Sequence, residues 1–260
     1  MCSTCGCGEG DTRIDGIAPH AHHHSHDHAL DQTRMVQVEQ DILAKNNAFA
    51  DVNRLYFSDH GILTLNLVSS PGSGKTSLLA RSITEIGDAI TMSVIEGDQQ
   101  TANDAERIRE TGVKAVQVNT GKGCHLDGHM ISHALATLQP EDGSVVFIEN
   151  VGNLVCPAAF DLGEAHKVVI LSVTEGEDKP IKYPDMFHAA DLMLLNKIDL
   201  LPYVDFNVDK CITYARQVNP GIKILQISAT KGDGLEQWYQ WIRNARQLGL
   251  TGHVLADEAV

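Results

Sequence analysis

The run of residues 63–80 constrains the fold of this chain more than any other, because an apolar strand, a glycine-containing loop and a helix-forming segment follow one another there directly. Residues 63–68 read LTLNLV, residues 69–76 read SSPGSGKT, and SLLA follows. In this order a loop delivers backbone N–H groups to a phosphate at the start of a helix. The run therefore predicts a phosphate-binding loop within an α/β fold.

Two glycines, a lysine and a threonine give this loop its chemistry. Gly72 and Gly74 let the backbone approach a phosphate closely, Lys75 neutralises charge on the β- and γ-phosphates, and the Thr76 hydroxyl can bind Mg²⁺. Ser69 stands where the usual form of the loop has glycine, which can alter the start of the loop but leaves its phosphate-contacting half complete. A chance loop is the alternative, and the flanking strand and helix argue against it.

Short apolar runs alternate with helix-forming stretches along the rest of the chain. This rhythm predicts an α/β fold with a doubly wound, mostly parallel sheet covered by helices, as in P-loop NTPases. The predicted strands are 62–68, 91–95, 113–118, 145–148, 168–173, 192–195 and 222–227. The predicted helices in the same region include 76–86, 101–111, 124–138 and 234–248, and a further helix carries Cys211 near Tyr214.

Charge and composition narrow the functional classes. The net charge of −14 over 260 residues argues against binding to nucleic acid or to an anionic membrane surface. No apolar run approaches the roughly 20 residues that span a bilayer, and the N-terminus lacks the features of a signal peptide. We therefore expect a cytoplasmic protein. Its six cysteines are then better suited to metal or redox chemistry than to structural disulfides.

The stretch Asn196-Lys197-Ile198-Asp199 predicts the nucleotide base. The Asp199 carboxylate can accept hydrogen bonds from N1–H and the 2-amino group of guanine, and the Asn196 amide can reach the opposite edge of the base. Adenine offers no such donor pair, so discrimination of about two to four decades is expected. Backbone N–H groups of Ser228 and Ala229 can approach the guanine oxygen. The sequence therefore predicts GTP.

Acidic residues at strand ends supply candidates for Mg²⁺ binding beside Thr76. Glu149 follows the strand 145–148, where ligands collect in such sheets. Asp98 follows the strand 91–95 and can contact Mg²⁺ while a triphosphate is bound, although a helix cap is the alternative. Gly152 can sense the γ-phosphate through its backbone N–H.

These assignments give two overlapping sets of residues. The predicted nucleotide-binding residues are Gly72, Ser73, Gly74, Lys75, Thr76, Ser77, Asn196, Lys197, Asp199, Ser228 and Ala229. The predicted catalytic residues are Lys75, Thr76, Asp98, Glu149 and Gly152.

Four segments are expected along the chain. They are a disordered Cys- and His-rich metal-binding tail at 1–30, a leading amphipathic helix at 31–58, a P-loop GTPase domain at 59–250 and a C-terminal tail at 251–260. The apolar stripe of the leading helix needs a partner surface. Its members are Val38, Ile42, Leu43, Phe49, Val52 and Leu55.

Three cysteines crowd the first seven residues. Cys2, Cys5 and Cys7, with an imidazole or the terminal amine, can fill a four-coordinate site for Ni²⁺ or Zn²⁺, and spacing does not choose between the two metals. The alternative is an unstructured tail with incidental cysteines. A histidine tract follows, which we interpret as loose ion storage rather than an expression tag. It consists of His20, His22, His23, His24, His26 and His28.

A second candidate metal site joins distant parts of the chain. Cys124 and His125 open a predicted helix, and Cys156 lies seven residues beyond Glu149. Both loops should emerge at the nucleotide edge of the sheet, so an ion held by these three residues could respond to the γ-phosphate. Spacing alone leaves inert buried cysteines as an equal alternative. We interpret Cys211 as a packing residue. The remaining histidines considered, His129, His133, His166 and His188, are interpreted as ordinary polar or partly buried residues.

Taken together, these motifs resemble one family. The tail motif C-x-x-C-G-C, the histidine tract, SSPGSGKT, EGD at 96–98, GKGCH at 121–125, ENVGN at 149–153 and NKxD at 196–199 are similar to those of HypB, the SIMIBI-class hydrogenase nickel-incorporation GTPases. The match runs from the first residue to at least Thr230.

The resemblance implies a function. It implies slow GTP hydrolysis, a nucleotide-promoted homodimer, and nickel delivery to a [NiFe]-hydrogenase large-subunit precursor alongside a HypA-like nickel metallochaperone. It also implies tight nickel binding by the Cys2, Cys5 and Cys7 cluster, and nickel or zinc at an interface site of Cys124, His125 and Cys156. The alternatives are a urease-type nickel-insertion GTPase and a non-enzymatic nickel store.

Overall fold

A sheet of seven parallel strands organises the residues that this computed structural model describes, which are 28–98, 103–121 and 123–253. The strand order is β3-β2-β4-β1-β5-β6-β7, so the chain winds outward in both directions from the centre. The strands are β1 Leu63–Ser69, β2 Met92–Asp98, β3 Lys114–Asn119, β4 Val145–Glu149, β5 His166–Ser172, β6 Leu192–Asn196 and β7 Lys223–Gln226. The predicted α/β doubly wound class is confirmed, and all seven strands are parallel.

Helices cover both faces of this sheet within the described ranges. They are α1 His28–Asp59, α2 Lys75–Ile86, α3 Asn103–Arg109, α4 Gly128–Leu138, α5 Cys156–Ala159, α6 Lys179–Lys182, α7 Pro184–Ala189, α8 Val208–Val218 and α9 Leu235–Gly249, with a 3₁₀ helix at Ile198–Tyr203. None of the described helices is both long enough and apolar enough to cross a membrane.

The apolar core is divided by the sheet. Leu63, Leu65 and Leu67 of β1 belong to the core layer that contains the buried faces of α2 and α9, including Trp238. Alternation along the strands sends other residues to the opposite face, where α4 packs through Ile131. Strands buried on both faces explain the near-continuous apolar runs in the sequence.

Helix α4 begins later than the sequence pattern predicts. The carboxylate of Asp127 accepts a hydrogen bond from the backbone N–H of Met130 and caps a helix that starts at Gly128. The expectation of a helix from residue 124 was therefore wrong. Cys124 and His125 belong to the preceding loop, where their backbone is not fixed by helical hydrogen bonds.

Helix α1 spans His28–Asp59, but the expected apolar stripe is not its buried face. Val38, Val52 and Leu55 are 51%, 60% and 64% exposed. The helix buries Asn46, Ala50 and Asn53 together with Phe57, whereas Ile42, Leu43 and Phe49 of the expected stripe are half-buried. The surface that α1 contacts explains why polar residues are buried there. Gly128 and Gly163 lie against the α1 backbone, and the peptide groups around them need hydrogen-bond partners. Asparagine amides can bond such groups, whereas leucine cannot.

Candidate functional site

A pocket of about 500 Å³ lies at the carboxyl ends of β1 and β4, which are neighbours in the sheet. It brings together residues that the sequence analysis assigned to phosphate and magnesium binding. The lining residues are Pro71, Gly72, Ser73, Gly74, Lys75, Thr76, Ser77, Asp98, Arg107, Glu149, Val151, Gly152 and Lys197. Such a crevice outside the strand ends is where doubly wound folds bind ligands.

The backbone of the phosphate loop depends on glycine at Gly74. This residue caps α2 with a φ of 98°, a left-handed backbone conformation that residues other than glycine rarely adopt. A Cβ atom at Gly74 would also come within 2.6 Å of Asn196 Nδ2. The loop therefore has no room for a side chain at the start of its helix, where a phosphate would approach.

Ser69, which departs from the usual loop pattern, contacts the lysine of the loop. Its Oγ accepts a hydrogen bond from Lys75 Nζ at 2.9 Å and donates to the carbonyl of Ser70 at 2.7 Å. A glycine at this position would offer no acceptor. The departure therefore changes how the lysine is held and leaves the glycines of the loop in place.

The residues predicted to hold Mg²⁺ suit that ion. Thr76 Oγ1 donates a hydrogen bond to Glu149 Oε1 at 2.6 Å, and both side chains are buried. Asp98, the last residue of β2, is half-buried on the same pocket wall. A hydroxyl and carboxylates facing a phosphate pocket are the oxygen ligands that Mg²⁺ prefers. The helix-cap alternative for Asp98 concerns residues 99–102, which lie outside the described ranges.

The predicted base-recognition residues lie together beside the phosphate loop. Asn196 is buried, and its amide donates to the carbonyl of Ser73 at 2.8 Å and accepts from the backbone N–H of Ala229 at 3.1 Å. Asp199 accepts a hydrogen bond from Ser228 Oγ at 2.6 Å. Asn196 thus ties the phosphate loop to the loop after β7, and Asp199 lies half-buried beside that loop.

Two arginines that the sequence analysis did not select contact this region. Arg107 of α3 lines the phosphate pocket, and its Nη2 lies 3.5 Å from Ser77 Oγ. Arg81 of α2 donates hydrogen bonds to the carbonyls of Ala229 and Thr230, at 3.1 and 2.8 Å. Neither belongs to a recognisable motif. Only the packing of α2 and α3 against the strand ends brings them near the nucleotide pocket.

The structure brings Cys124, His125 and Cys156 into one cluster. The Sγ atoms of Cys124 and Cys156 are 2.8 Å apart, and Cys124 Sγ lies 3.6 Å from His125 Nδ1. One candidate ligand atom from each residue lies within 4.8 Å of the other two, and all three residues are half-buried. Asn153 links the two contributing loops, because its Nδ2 donates to the carbonyl of Cys124 at 3.3 Å. Thiolate and imidazole ligands suit Ni²⁺ and Zn²⁺.

The surroundings of His125 favour the form that binds metal. Burial lowers the pKa of His125 below its usual value, and the nearby charge of Asp127 only partly opposes this. The ring packs against that of Phe160 with centroids 3.9 Å apart and the two planes inclined by 36°. A neutral imidazole has a free lone pair for an ion, so His125 is available as a ligand at neutral pH.

The loop after β4 connects the phosphate pocket with this cluster. Glu149, Val151 and Gly152 line the pocket, and Cys156 follows four residues later. Gly152 packs closely on the phosphate loop, since a Cβ atom there would lie 3.1 Å from Pro71. A single short segment therefore meets both the nucleotide pocket and the candidate metal ligands.

The other predicted metal residues have different positions. Cys211 is fully buried, and burial raises the pKa of its thiol to about 12, which agrees with a packing role. His129 and His133 are exposed on α4 with their Nε2 atoms 3.1 Å apart. His166 is half-buried and contacts Trp241 and Asp191. Cys2, Cys5, Cys7 and the tract from His20 to His26 lie outside the described residues, and His28 begins α1.

Comparisons with known proteins match this arrangement. The family model of the CobW/HypB/UreG nucleotide-binding domain matches residues 63–226, from the start of β1 to the end of β7. The hydrogenase maturation factor HypB of Azotobacter vinelandii is 55% identical over 98% of this chain and 95% of its own length. HypB of Escherichia coli K12 is 52% identical over 95% of this chain and 99% of its own length.

Solved structures give the same result. HypB from Archaeoglobus fulgidus superimposes with a TM-score of 0.74 at 41% identity and covers 78% of this chain and 99% of its own. HypB from Helicobacter pylori, solved in complex with nickel, has a TM-score of 0.74 at 36% identity and covers 81% of this chain and 100% of its own.

Proposed function

The chain belongs to the CobW/HypB/UreG nucleotide-binding family, as one of its HypB hydrogenase maturation factors, and from this premise we propose that it is a GTP-hydrolysing nickel metallochaperone. It binds nickel, forms a homodimer promoted by GTP, and delivers the ion during [NiFe]-hydrogenase maturation. Its partners are a HypA-like nickel metallochaperone and the hydrogenase large-subunit precursor. We expect this to take place in the cytoplasm.

Hydrolysis is assigned to the pocket at the ends of β1 and β4. Backbone N–H groups of Gly72 to Thr76 cradle the phosphates, and Lys75 with Arg107 offsets their negative charge. Water attacks the γ-phosphorus, the bond to the bridging oxygen breaks, and GDP and phosphate are released. Magnesium, held by Thr76 and Glu149 with Asp98 nearby, supplies charge neutralisation when it is bound.

Guanine recognition is assigned to the loops beside this pocket, which follow β6 and β7 and carry Asp199, Ser228 and Ala229. Asp199 accepts the two donors of the base. The N–H groups of Ser228 and Ala229 donate to the carbonyl of Asp233 and to Asn196 Oδ1, so they would exchange these partners to reach the guanine oxygen. Arg81 supports this loop by bonding the carbonyls of Ala229 and Thr230. Lys197 donates to the carbonyl of Gly72 at 2.7 Å, which keeps the base-binding and phosphate-binding loops together.

Nickel is the cargo of the Cys124, His125 and Cys156 cluster, which can also hold zinc. The observation that carries the proposal is the shared segment after β4, because it lines the phosphate pocket at Glu149 and Gly152 and supplies Cys156. A ligand changes a distant equilibrium only through different affinities for two states. Metal affinity must therefore differ between the GDP and GTP forms.

Replacement of Lys75 by alanine tests the delivery role in cells. The variant loses phosphate binding while the cysteine cluster and the tail cysteines remain. We expect hydrogenase activity to fall to the level of a strain without the gene. Full activity with Lys75→Ala, at equal protein levels, would instead support a nickel store that works without nucleotide. An Asn244→Ala variant, changed on the exposed face of α9, controls for expression.

A further inference from the structure

A buried asparagine next to the nucleotide pocket holds the backbone of the metal loop. Asn150 Oδ1 accepts hydrogen bonds from the backbone N–H groups of Leu126, at 3.2 Å, and Val151, at 3.0 Å. Leu126 directly follows Cys124 and His125, and Val151 directly precedes Gly152. One carboxamide oxygen therefore joins the loop that carries two metal ligands to the segment that lines the phosphate pocket.

The amide nitrogen of Asn150 begins a chain of hydrogen bonds that leads to the segment carrying Cys156. Asn150 Nδ2 donates to Asn66 Oδ1 at 3.2 Å, and Asn66 Nδ2 donates to Glu164 Oε1 at 2.9 Å. Glu164 lies 3.6 Å from the ammonium group of Lys167. All four side chains are buried, so these hydrogen bonds are not exchanged freely with water.

Lys167 ends this chain of contacts at the helix that carries Cys156. Its Nζ donates to the carbonyl of Pro157 at 3.0 Å and lies 3.4 Å from the carbonyls of Ala158 and Phe160. Helix α5 begins at Cys156 and ends at Ala159, so the ammonium group bonds its C-terminal carbonyls. The network therefore contacts both segments that supply the metal ligands.

Asn150 is the member of this network that lies in the nucleotide-lining segment. Its neighbour Glu149 bonds Thr76, and Gly152 packs on Pro71 of the phosphate loop. A shift of this segment toward a γ-phosphate would draw the carboxamide with it. Because the carboxamide is bonded to the N–H of Leu126, the loop with Cys124 and His125 would have to move or lose a buried hydrogen bond.

We propose that Asn150 is a positioning residue that couples the occupied nucleotide state to the geometry of the Cys124, His125 and Cys156 site through its hydrogen bonds to Leu126 and Asn66. The proposal rests on the function proposed above, since it names the connection which that function requires. It assigns Asn150 no contact with nucleotide or metal. Its role is to set the relative positions of two loops.

The test compares nickel affinity in two nucleotide states. Full-length protein carries serine at Cys2, Cys5 and Cys7 in every variant, so that the tail thiols do not bind the ion. Nickel affinity is measured by competition with a chelator, once with GDP and once with a non-hydrolysable GTP analogue. The parent protein should show a ratio between the two affinities on the order of 5- to 150-fold. In Asn150→Ala the ratio should fall to within about twofold of one.

A matched control separates coupling from general loosening of the metal site. Asn46 of α1 bonds residues that flank both metal-ligand segments, because it accepts from the N–H of Gly128 at 2.8 Å and donates to the carbonyl of Asp161 at 2.8 Å. It does not line the phosphate pocket. Asn46→Ala should change nickel affinity equally in both nucleotide states and keep the parent ratio.

The outcomes distinguish the two proposals. A parent ratio of one overturns the proposed nucleotide control of the metal site itself. If Asn150→Ala keeps the parent's ratio of nickel affinities, the role of Asn150 is overturned and the proposed function stands. The same holds if Asn46→Ala abolishes the ratio as completely as Asn150→Ala does. An affinity for GDP equal to that of the parent shows that the Asn150→Ala variant is folded.

If Asn150→Ala does not fold, hydrogen exchange in the parent protein decides. Exchange at the amide of Leu126 should differ between the two nucleotide states by on the order of tenfold or more, and equal exchange overturns the coupling.

Discussion

In the proposed function, Asp199 is the residue on which nucleotide choice depends most. It lies half-buried next to the loop after β7 and accepts a hydrogen bond from Ser228. Its carboxylate is the group that distinguishes a guanine donor pair from the edge of adenine. Its hydrogen bond from Ser228 restrains the orientation of the carboxylate.

Replacement of Asp199 by asparagine should change base preference. The amide cannot accept from both guanine donors, so the affinity for GTP and GDP should fall by about two to four decades. Xanthosine nucleotides, which carry an oxygen in place of the 2-amino group, should bind better than to the parent. Competition with a fluorescent nucleotide measures both effects. Unchanged GTP affinity would remove Asp199 from the base site, and Ser228→Ala, which keeps the carboxylate, should lose much less.

The three described cysteines should differ in reactivity, because their surroundings differ. Burial raises the pKa of the Cys211 thiol to about 12, so in the folded protein it remains protonated and shielded. Cys124 and Cys156 are only half-buried. Thiols react as thiolates, so a maleimide should label Cys124 and Cys156 at neutral pH well before Cys211. Mass spectrometry of peptides measures this, and nickel should slow only the first two.

The same pKa shift has a consequence for stability at high pH. A Cys211 pKa raised from its ordinary value near 9 to about 12 means that the folded state holds the proton more tightly than the unfolded state. Its contribution to stability is therefore complete below about pH 9 and is lost as the pH rises toward 12. If a maleimide labelled Cys124, Cys156 and Cys211 of the folded protein at equal rates, Cys211 would be neither shielded nor held in its protonated form.

Among the elements, α1 differs most from what its sequence predicts. Helical periodicity identified the helix, but its apolar positions did not identify the buried face. The surface that α1 meets is made of loop backbone around Gly128 and Gly163, and that surface is created only by the folded sheet. Polar side chains can form hydrogen bonds with such a surface and apolar ones cannot, and no local sequence pattern predicts where that surface will lie.

Neighbouring residues of α1 provide a test of this packing. Asn53 Nδ2 donates to the carbonyls of Gly128 and Leu162, and its Oδ1 accepts from Ser132 Oγ. Asn53→Ala should lower the free energy of unfolding by about 2 kcal/mol, because buried partners lose their hydrogen bonds. Val52→Ala, on the exposed side, should change it by less than about 0.5 kcal/mol. Urea denaturation measures both, and a larger loss in Val52→Ala would support the apolar stripe instead.

Strands were predicted more completely than helices, for a physical reason. Each strand contains a short apolar run, including the half-buried edge strands β3 and β7, so all seven are recognised with ends within a few residues of those observed. The short helices α5, α6 and α7 contain few residues and depend on proline and on contacts with neighbours, and they were not predicted. Helix α4 was placed too early because the cap formed by Asp127 was not recognised.

For the site, the sequence predicted residue types better than connections. The phosphate loop and the NKxD motif are contiguous, so spacing alone identifies them. The convergence of Cys124 and Cys156, 32 residues apart, follows only from the parallel sheet, which ends β3 and β4 at the same edge although β2 lies between them. Arg81, Arg107 and Asn150 carry no motif, because their relevance lies in contacts across the fold.

At the level of the whole molecule, the sheet places two chemistries at one edge. The phosphate pocket and the thiol-imidazole cluster both lie beyond the carboxyl ends of the strands, and the segment from Glu149 to Cys156 connects them. A buried polar network from Asn150 through Asn66 and Glu164 to Lys167 also links the segments that carry the metal ligands. The architecture therefore suits a protein in which nucleotide state controls how firmly an ion is held.

The most direct test is the nickel affinity of the Cys124, His125 and Cys156 site in full-length protein, measured by chelator competition with GDP and with a non-hydrolysable GTP analogue, in a background with Cys2, Cys5 and Cys7 replaced by serine. We predict that the two dissociation constants differ on the order of tenfold. Equal constants in the two nucleotide states would contradict the central claim that the nucleotide pocket controls the metal site.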